Sequence, residues 1–373
     1  MTTTKAAPAH LVSNLDNLTL ARKEGWRDYV EAPPKTRPEL LTKRQIRALS
    51  EPAADMYNDR RKQWHNNLGP FKTPMLAMVH EALWDIVDSN EQDGQHAKGA
   101  VAIDGYPGLG KTCAVEEFAK KFHHREIRRF GAFTRAGDER WPVCRIGMRG
   151  NTSMKDFNGA LCDFYAHPGR RNATAEQLGR WALDCVLSCE TRLLIIDDLH
   201  FLHWQHHGGI EISNHFKYIA NDFPLTLVSI GVGLGERGVL MDGPSYEDAV
   251  LAQTMRRTTT LDMVPYAVTT ARARGQWRTL LSTIEERLVL AGKRPGMLTE
   301  EMSDYLFIRS TGHIGSLMEL IRRGCARAIR NGVETINQKL LDTIKIDSAA
   351  ERARRELEAA FRSRRLTTCN RRL

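Results

Sequence analysis

Eight consecutive residues, Gly105-Tyr106-Pro107-Gly108-Leu109-Gly110-Lys111-Thr112, satisfy every fixed position of the pattern G-x-x-x-x-G-K-[ST]. Glycines let the backbone bend until consecutive N–H groups point at one anion. Lys111 would then reach β- and γ-phosphates as a point charge, and the Thr112 hydroxyl would coordinate Mg²⁺. The loop, together with Cys113, is the expected cradle of a nucleoside triphosphate, taken as ATP. Its context fits: an apolar run at 99–103 reads as a buried strand, and 112–122 reads as a helix with its positive end towards the phosphates. A ligand-free glycine turn would have little use for such a lysine.

A second stretch, Arg192-Leu193-Leu194-Ile195-Ile196-Asp197-Asp198-Leu199, supplies the acids. Four apolar residues in a row read as a strand buried on both faces, as parallel sheets require. Asp197 at its C-terminal end is placed to hold Mg²⁺, commonly through water. Asp198 is placed to orient or deprotonate an attacking water. About 85 residues separate the two motifs, room for one more strand–helix unit. That spacing suits an additional-strand ATPase better than a small kinase.

The positioning elements follow from periodicity. Residues 52–67 are helical in character, Asn67-Leu68-Gly69-Pro70 breaks the pattern, and Thr73 or Pro74 opens another helix through Val87. This lead-in is expected to supply part of the base pocket, without individual contacts being legible. Further strands are expected at 141–148 and 225–231, and helices at 154–165, 175–187 and 210–220. Glycines 231, 233, 235 and 238 mark a loop near a γ-phosphate. From 266 onward the chain reads as almost wholly helical (270–291, 299–309, 315–331, 335–345). The expected organisation is a mobile arm at 1–50, an αβα nucleotide domain at 51–265, a helical lid at 266–346 and an Arg-rich tail at 347–373.

With 373 residues and 42% hydrophobic content, the chain can bury a substantial core. No run approaches the length of a membrane span, and the first residues lack the apolar core of a signal peptide, so a cytoplasmic location without membrane contact is expected. Seven cysteines at irregular spacing read as reduced thiols. The histidines at 200, 203, 206 and 207 have no thiol or carboxylate in register to complete a metal site. A net charge of +9, with basic runs between Lys120 and Arg149 and again after Glu351, points towards a polyanion partner.

Taken together these parts resemble an AAA+ ATPase, and within that family the transposition regulators of the TniB/TnsC type. The resemblance spans roughly residues 55–345. It is carried by Tyr57-Asn58-Asp59-Arg60-Arg61, Asn67-Leu68-Gly69-Pro70, the phosphate loop, the Leu-Leu-Ile-Ile-Asp-Asp strand, the Arg256-Arg257 turn leading to Leu261 and Pro265, and Thr311-Gly312-His313-Ile314-Gly315-Ser316-Leu317. It implies an α/β fold with a parallel sheet and a helical lid, ATP and Mg²⁺ as ligands, and a homo-oligomer, ring or filament, on double-stranded DNA. A DDE transposase and a target-selection protein are the implied partners. Arg256 or Arg257 would be the arginine finger offered to a neighbouring subunit, and Arg149 and Lys155 would face DNA in a central pore. A helicase loader, or a switch acting on a protein without DNA, would share most of these motifs. Three features depart from the family: Asp198 stands where Glu is usual, Ser229 is the nearest polar sensor with Val232 where Thr or Asn is common, and the lid's usual arginine has no counterpart at Gly315-Ser316. They imply slow hydrolysis.

Overall fold

The computed structural model describes residues 18–92, 98–149, 152–169, 173–199, 219, 223–234 and 257–369. Arg256, Gly235, Gly238, the histidines from 200 to 207 and nearly all of the helix expected at 210–220 lie outside the described residues.

The apolar runs become parallel strands: β1 (Ala100–Asp104), β2 (Val143–Gly147), β3 (Leu193–Asp197) and β4 (Thr226–Ile230). A fifth strand, β5 (Thr258–Asp262), joins beyond β1, giving the order β2-β3-β4-β1-β5 with every pairing parallel. Because β5 is an edge strand with exposed threonines, it carries no apolar run to betray it. Strands β3 and β4 are buried throughout, as strands covered by helices on both faces must be. The covering helices are α1 (Lys23–Glu31), α4 (Pro74–Ser89), α5 (Lys111–Phe130), α6 (Met154–Phe164) and α7 (Ala175–Ser188). Reciprocal capping boxes start two of them, Ser153 with Asp156 on α6 and Thr174 with Gln177 on α7.

Helix α5 runs eight residues past the expected end at 122, so part of the basic run lies on a regular helix. Part of that run is neutralised internally. Arg125 pairs with Asp88 and Glu91, Arg129 with Glu91, Arg140 with Glu190, and Arg145 with Glu116 and Asp197. That part of its charge therefore serves the fold rather than a polyanion.

In its described part the arm expected at 1–50, with one or two short helices and a possible docking role, carries α1 packed on the core. Trp26 is fully buried in the first apolar cluster, its Nε1 donating to His123 Nδ1 at 3.2 Å, and Lys120 Nζ donates to Tyr29 O at 3.0 Å. Val30 is buried in the same cluster, so one aromatic ring and one aliphatic side chain dock a short helix whose other residues are mostly polar. Farther along, Arg37 Nη2 donates to Glu286 O at 2.8 Å, before α2 (Lys43–Arg47) and α3 (Glu51–Asn66).

A second apolar cluster lies in the helical region: α8 (Ala271–Arg287), α9 (Ser303–Ser310), α10 (Ile314–Arg330) and α11 (Gln338–Asp342). Helix α3 packs on α10. Its Arg61 is buried and holds both oxygens of Glu334, at 2.6 and 2.9 Å, while Asn58 takes a third donor. The Tyr57–Arg61 motif thus fastens the lead-in to the lid. The Arg-rich tail also has structure: α12 (Ser348–Arg362) lies on α9, with Phe361 and Leu366 against the second cluster. Among the described residues no helix is long and apolar enough to cross a membrane.

Two buried histidines make stability pH-dependent. His65 accepts from Val289 N at 3.0 Å, and burial, reinforced by Arg61, lowers its pKa to about 3. Burial also lowers His123 to about 4. Both are therefore neutral in the fold, whereas the unfolded chain takes up protons near pH 6.5. Their contribution is complete above pH 6.5 and is lost as pH falls towards the folded values. Denaturant unfolding at pH 5.5 should show stability reduced on the order of 1 kcal/mol for each histidine relative to pH 7.5. His65→Phe should shrink that difference.

Candidate nucleotide site

The phosphate loop leaves β1 at its C-terminal end, where open parallel sheets bind ligands. Gly105 N donates to Asp104 Oδ1 at 2.7 Å, and buried Leu109 anchors the loop while Tyr106, Pro107 and Gly108 stay exposed. Gly110 adopts φ +85°, which turns the chain into α5 without a capping side chain. The first N–H groups of α5 are left for a ligand, as an anion site requires. Lys111 is buried, its Nζ donating to the carbonyls of Gly105 at 2.6 Å and Tyr106 at 2.8 Å. Burial lowers its pKa, opposed by Asp104, Asp197 and Asp198.

From β3, Asp197 Oδ1 accepts from Thr112 Oγ1 at 3.2 Å and from Asp198 N at 3.0 Å. Burial raises the Asp197 pKa, with Arg145 acting against that rise. Asp198 follows in a left-handed conformation, φ +59°, which aspartate tolerates better than most residues. Its side chain is exposed beside the loop. Uncapped helix N–H groups, an ammonium, a hydroxyl and adjacent acids form the donor set that a Mg²⁺–nucleoside triphosphate needs. Lys111 and the loop would hold the phosphates, with Thr112 and Asp197 taking the metal.

A cavity of about 180 Å³ lies between the loop, the lead-in and the lid, where the base of a bound nucleotide would fit. Pro70, Phe71, Tyr266, Ile314, Met318 and Arg322 line it, with Cys113 at the root of α5. These contacts could not be named from sequence, because they come from three segments that only the fold assembles.

The lid touches the loop directly. Gly315 N donates to Gly108 O at 2.8 Å. A Cβ at Gly315 would lie 2.8 Å from that oxygen and 3.0 Å from Gly108 Cα, so the position excludes any side chain. An arginine at Gly315 is thus excluded sterically, because that place is a backbone-to-backbone contact, while Arg322 of the same helix reaches the cavity. Gly315→Ala should push the lid off the loop and weaken nucleotide binding about tenfold, the equivalent of one lost hydrogen bond with its packing. Equilibrium titration with a fluorescent ATP analogue would measure the change.

Other expected site residues lie apart. Arg257 is at the opposite end of the sheet: its carbonyl accepts from Ala100 N at 2.8 Å, where β1 begins. A five-residue strand, roughly 16 Å, separates it from its own phosphate loop. Arg149 and Lys155 are exposed after β2, on the side of the sheet that carries the loop. Ser229 is buried within β4, in register with Ala102 and Ile196. Arg145 and Glu116, by contrast, enter the site without having been anticipated. An arginine inside the apolar run Val143-Cys144-Arg145-Ile146 was the available signal.

Sheet order, loop and acids together define a P-loop NTPase core followed by a helical region. Residues 94–239 match the family model described as an AAA domain. No curated protein matches the sequence. Among solved structures the fold is similar to the ORC1 protein of Aeropyrum pernix in complex with DNA, at 15% identity and a TM-score of 0.55, covering 81% of this chain and 70% of that one. It is also similar to Cdc6p of Pyrobaculum aerophilum (15% identity, TM-score 0.51, 72% and 65% covered). The ORC2 protein of A. pernix in ADPNP-ADP complexes is a third (15%, 0.55, 80% and 74%). The likeness includes the helical region after the sheet.

Proposed function

We propose that this chain is an ATPase that assembles on duplex DNA in its ATP-bound state and releases it after hydrolysis to ADP and phosphate. The observation that carries the reading is the convergence of Lys111, Thr112, Asp197 and Asp198 at one end of β1 while Arg257 sits at the other. An arginine at that end of the sheet suits a finger offered to a neighbouring subunit's site, and Arg256 is its alternative. When bound, Mg²⁺–ATP supplies the γ-phosphoryl group and the metal's charge. Lys111 counters the charge on the phosphates, and Asp198 takes a proton from the attacking water.

For DNA, the support is the net positive charge and the exposed Arg149 and Lys155, with the fold likeness to a protein seen in complex with DNA. Phosphate contacts of this kind are insensitive to sequence and weaken with salt. Within this reading the chain marks target DNA for a DDE transposase, which the motifs from Tyr57 to Ser316 support. A helicase-loading role, which would use most of the same motifs, is the second reading. ATPase assays with and without duplex DNA, followed by pull-down of a candidate transposase or replicative helicase, separate these readings. DNA stimulation with transposase capture supports the first, and helicase capture the second. A DNA-independent rate would contradict both in favour of a protein-directed switch.

A further inference from the structure

Arginine 145 stands alone in an apolar strand, and its surroundings explain what it does there. From the middle of β2 its Nη2 donates to Asp197 Oδ2 at 2.8 Å, and its Nε lies 3.1 Å from Glu116 Oε1 on α5. The three side chains are mostly buried, with exposures of 17%, 17% and 9% for Arg145, Glu116 and Asp197. One guanidinium therefore serves two carboxylates that would otherwise face each other at low dielectric. The oxygen it holds on Asp197 is the one that Thr112 does not. Oδ1 is left to Thr112 Oγ1 and the Asp198 amide, on the side where the metal of a bound nucleotide would lie.

We propose that Arg145, braced by Glu116, is a positioning residue that clamps one oxygen of Asp197 so that the other stays aimed at the Mg²⁺ of bound nucleotide. This rests on the nucleotide-site reading above and extends it to the metal's outer shell. A planar fork can hold a carboxylate's rotation, whereas an ammonium supplies charge without that direction. Partners of this kind are worth 10- to 100-fold in metal affinity when removed. The interaction belongs to the metal, so Mg²⁺-free nucleotide should be nearly indifferent to it.

The test is a titration of Mg²⁺ into the protein with a fluorescent ADP, comparing wild type with Arg145→Met, Arg145→Lys and Arg145→Met/Glu116→Gln, each checked by thermal melting. The Mg²⁺ concentration giving half-maximal retention should rise about tenfold in Arg145→Met, while affinity in EDTA stays within about twofold of wild type. Arg145→Lys should fall between the two. The double variant should recover part of the loss, because it removes the carboxylate left unpaired beside Asp197. Should Arg145→Met fail to fold, Arg145→Lys decides the question by the same ratio. An unchanged Mg²⁺ requirement in folded variants, or equal losses with and without Mg²⁺, would overturn the proposal. Wild type that retains no nucleotide under either condition would instead overturn the nucleotide-site reading beneath it.

Discussion

Lys111→Ala should lower ATP turnover by at least about a hundredfold while leaving the melting temperature within a few degrees of wild type. The lysine is a poor structural residue: it is buried, its ammonium is partly desolvated, and among the described residues it bonds to two loop carbonyls, at Gly105 and Tyr106. Those carbonyls lie at an exposed loop, so losing their donor costs little stability once water replaces it. The charge itself is held ready by Asp104, Asp197 and Asp198, which oppose the effect of burial. Phosphates entering the loop would meet a preorganised cation whose solvent has already been removed, and alanine offers none. Steady-state ATPase rates and fluorescent-nucleotide binding check both parts. Turnover near wild type would place the chemistry elsewhere.

Asp198→Asn should separate binding from hydrolysis. Asparagine keeps the shape and tolerates the same left-handed backbone, φ +59°, so the β3 terminus should not move. Its amide cannot accept a proton, and loss of a general base typically costs about 10²–10⁴ in rate. ATP affinity should stay within a few-fold, because Asp197 and Thr112 retain the metal side of the site. Single-turnover hydrolysis beside equilibrium binding measures the two effects independently. Equal losses in both would assign Asp198 to binding instead.

The central parts of this molecule were legible because each announces itself locally. A phosphate loop is a run of adjacent residues, and a doubly buried strand such as β3 is a run of adjacent apolar ones. What escaped was made by distance or by contrast. Strand β5 is polar because it lies at an edge, and α1 reads as an arm because only two of its apolar side chains, Trp26 and Val30, are buried in the core. Arg145 looked like one cation in a basic run until β2 came to lie beside β3. The same packing changes the meaning of that run, since Arg125, Arg129, Arg140 and Arg145 all face carboxylates. Gly315 is instructive in a different way. In sequence it was the absence of an arginine, and in the fold it is the only residue type that fits between lid and loop.

The most direct measurement is sedimentation of the full chain with duplex DNA at low salt, with ATP, with ADP and without nucleotide, for wild type, Lys111→Ala and Asp198→Asn. Assembly with ATP, lost in Lys111→Ala and prolonged in Asp198→Asn, is the predicted result. DNA association that is absent under all nucleotide conditions, or identical in all three proteins, would contradict an ATP-controlled assembly on DNA.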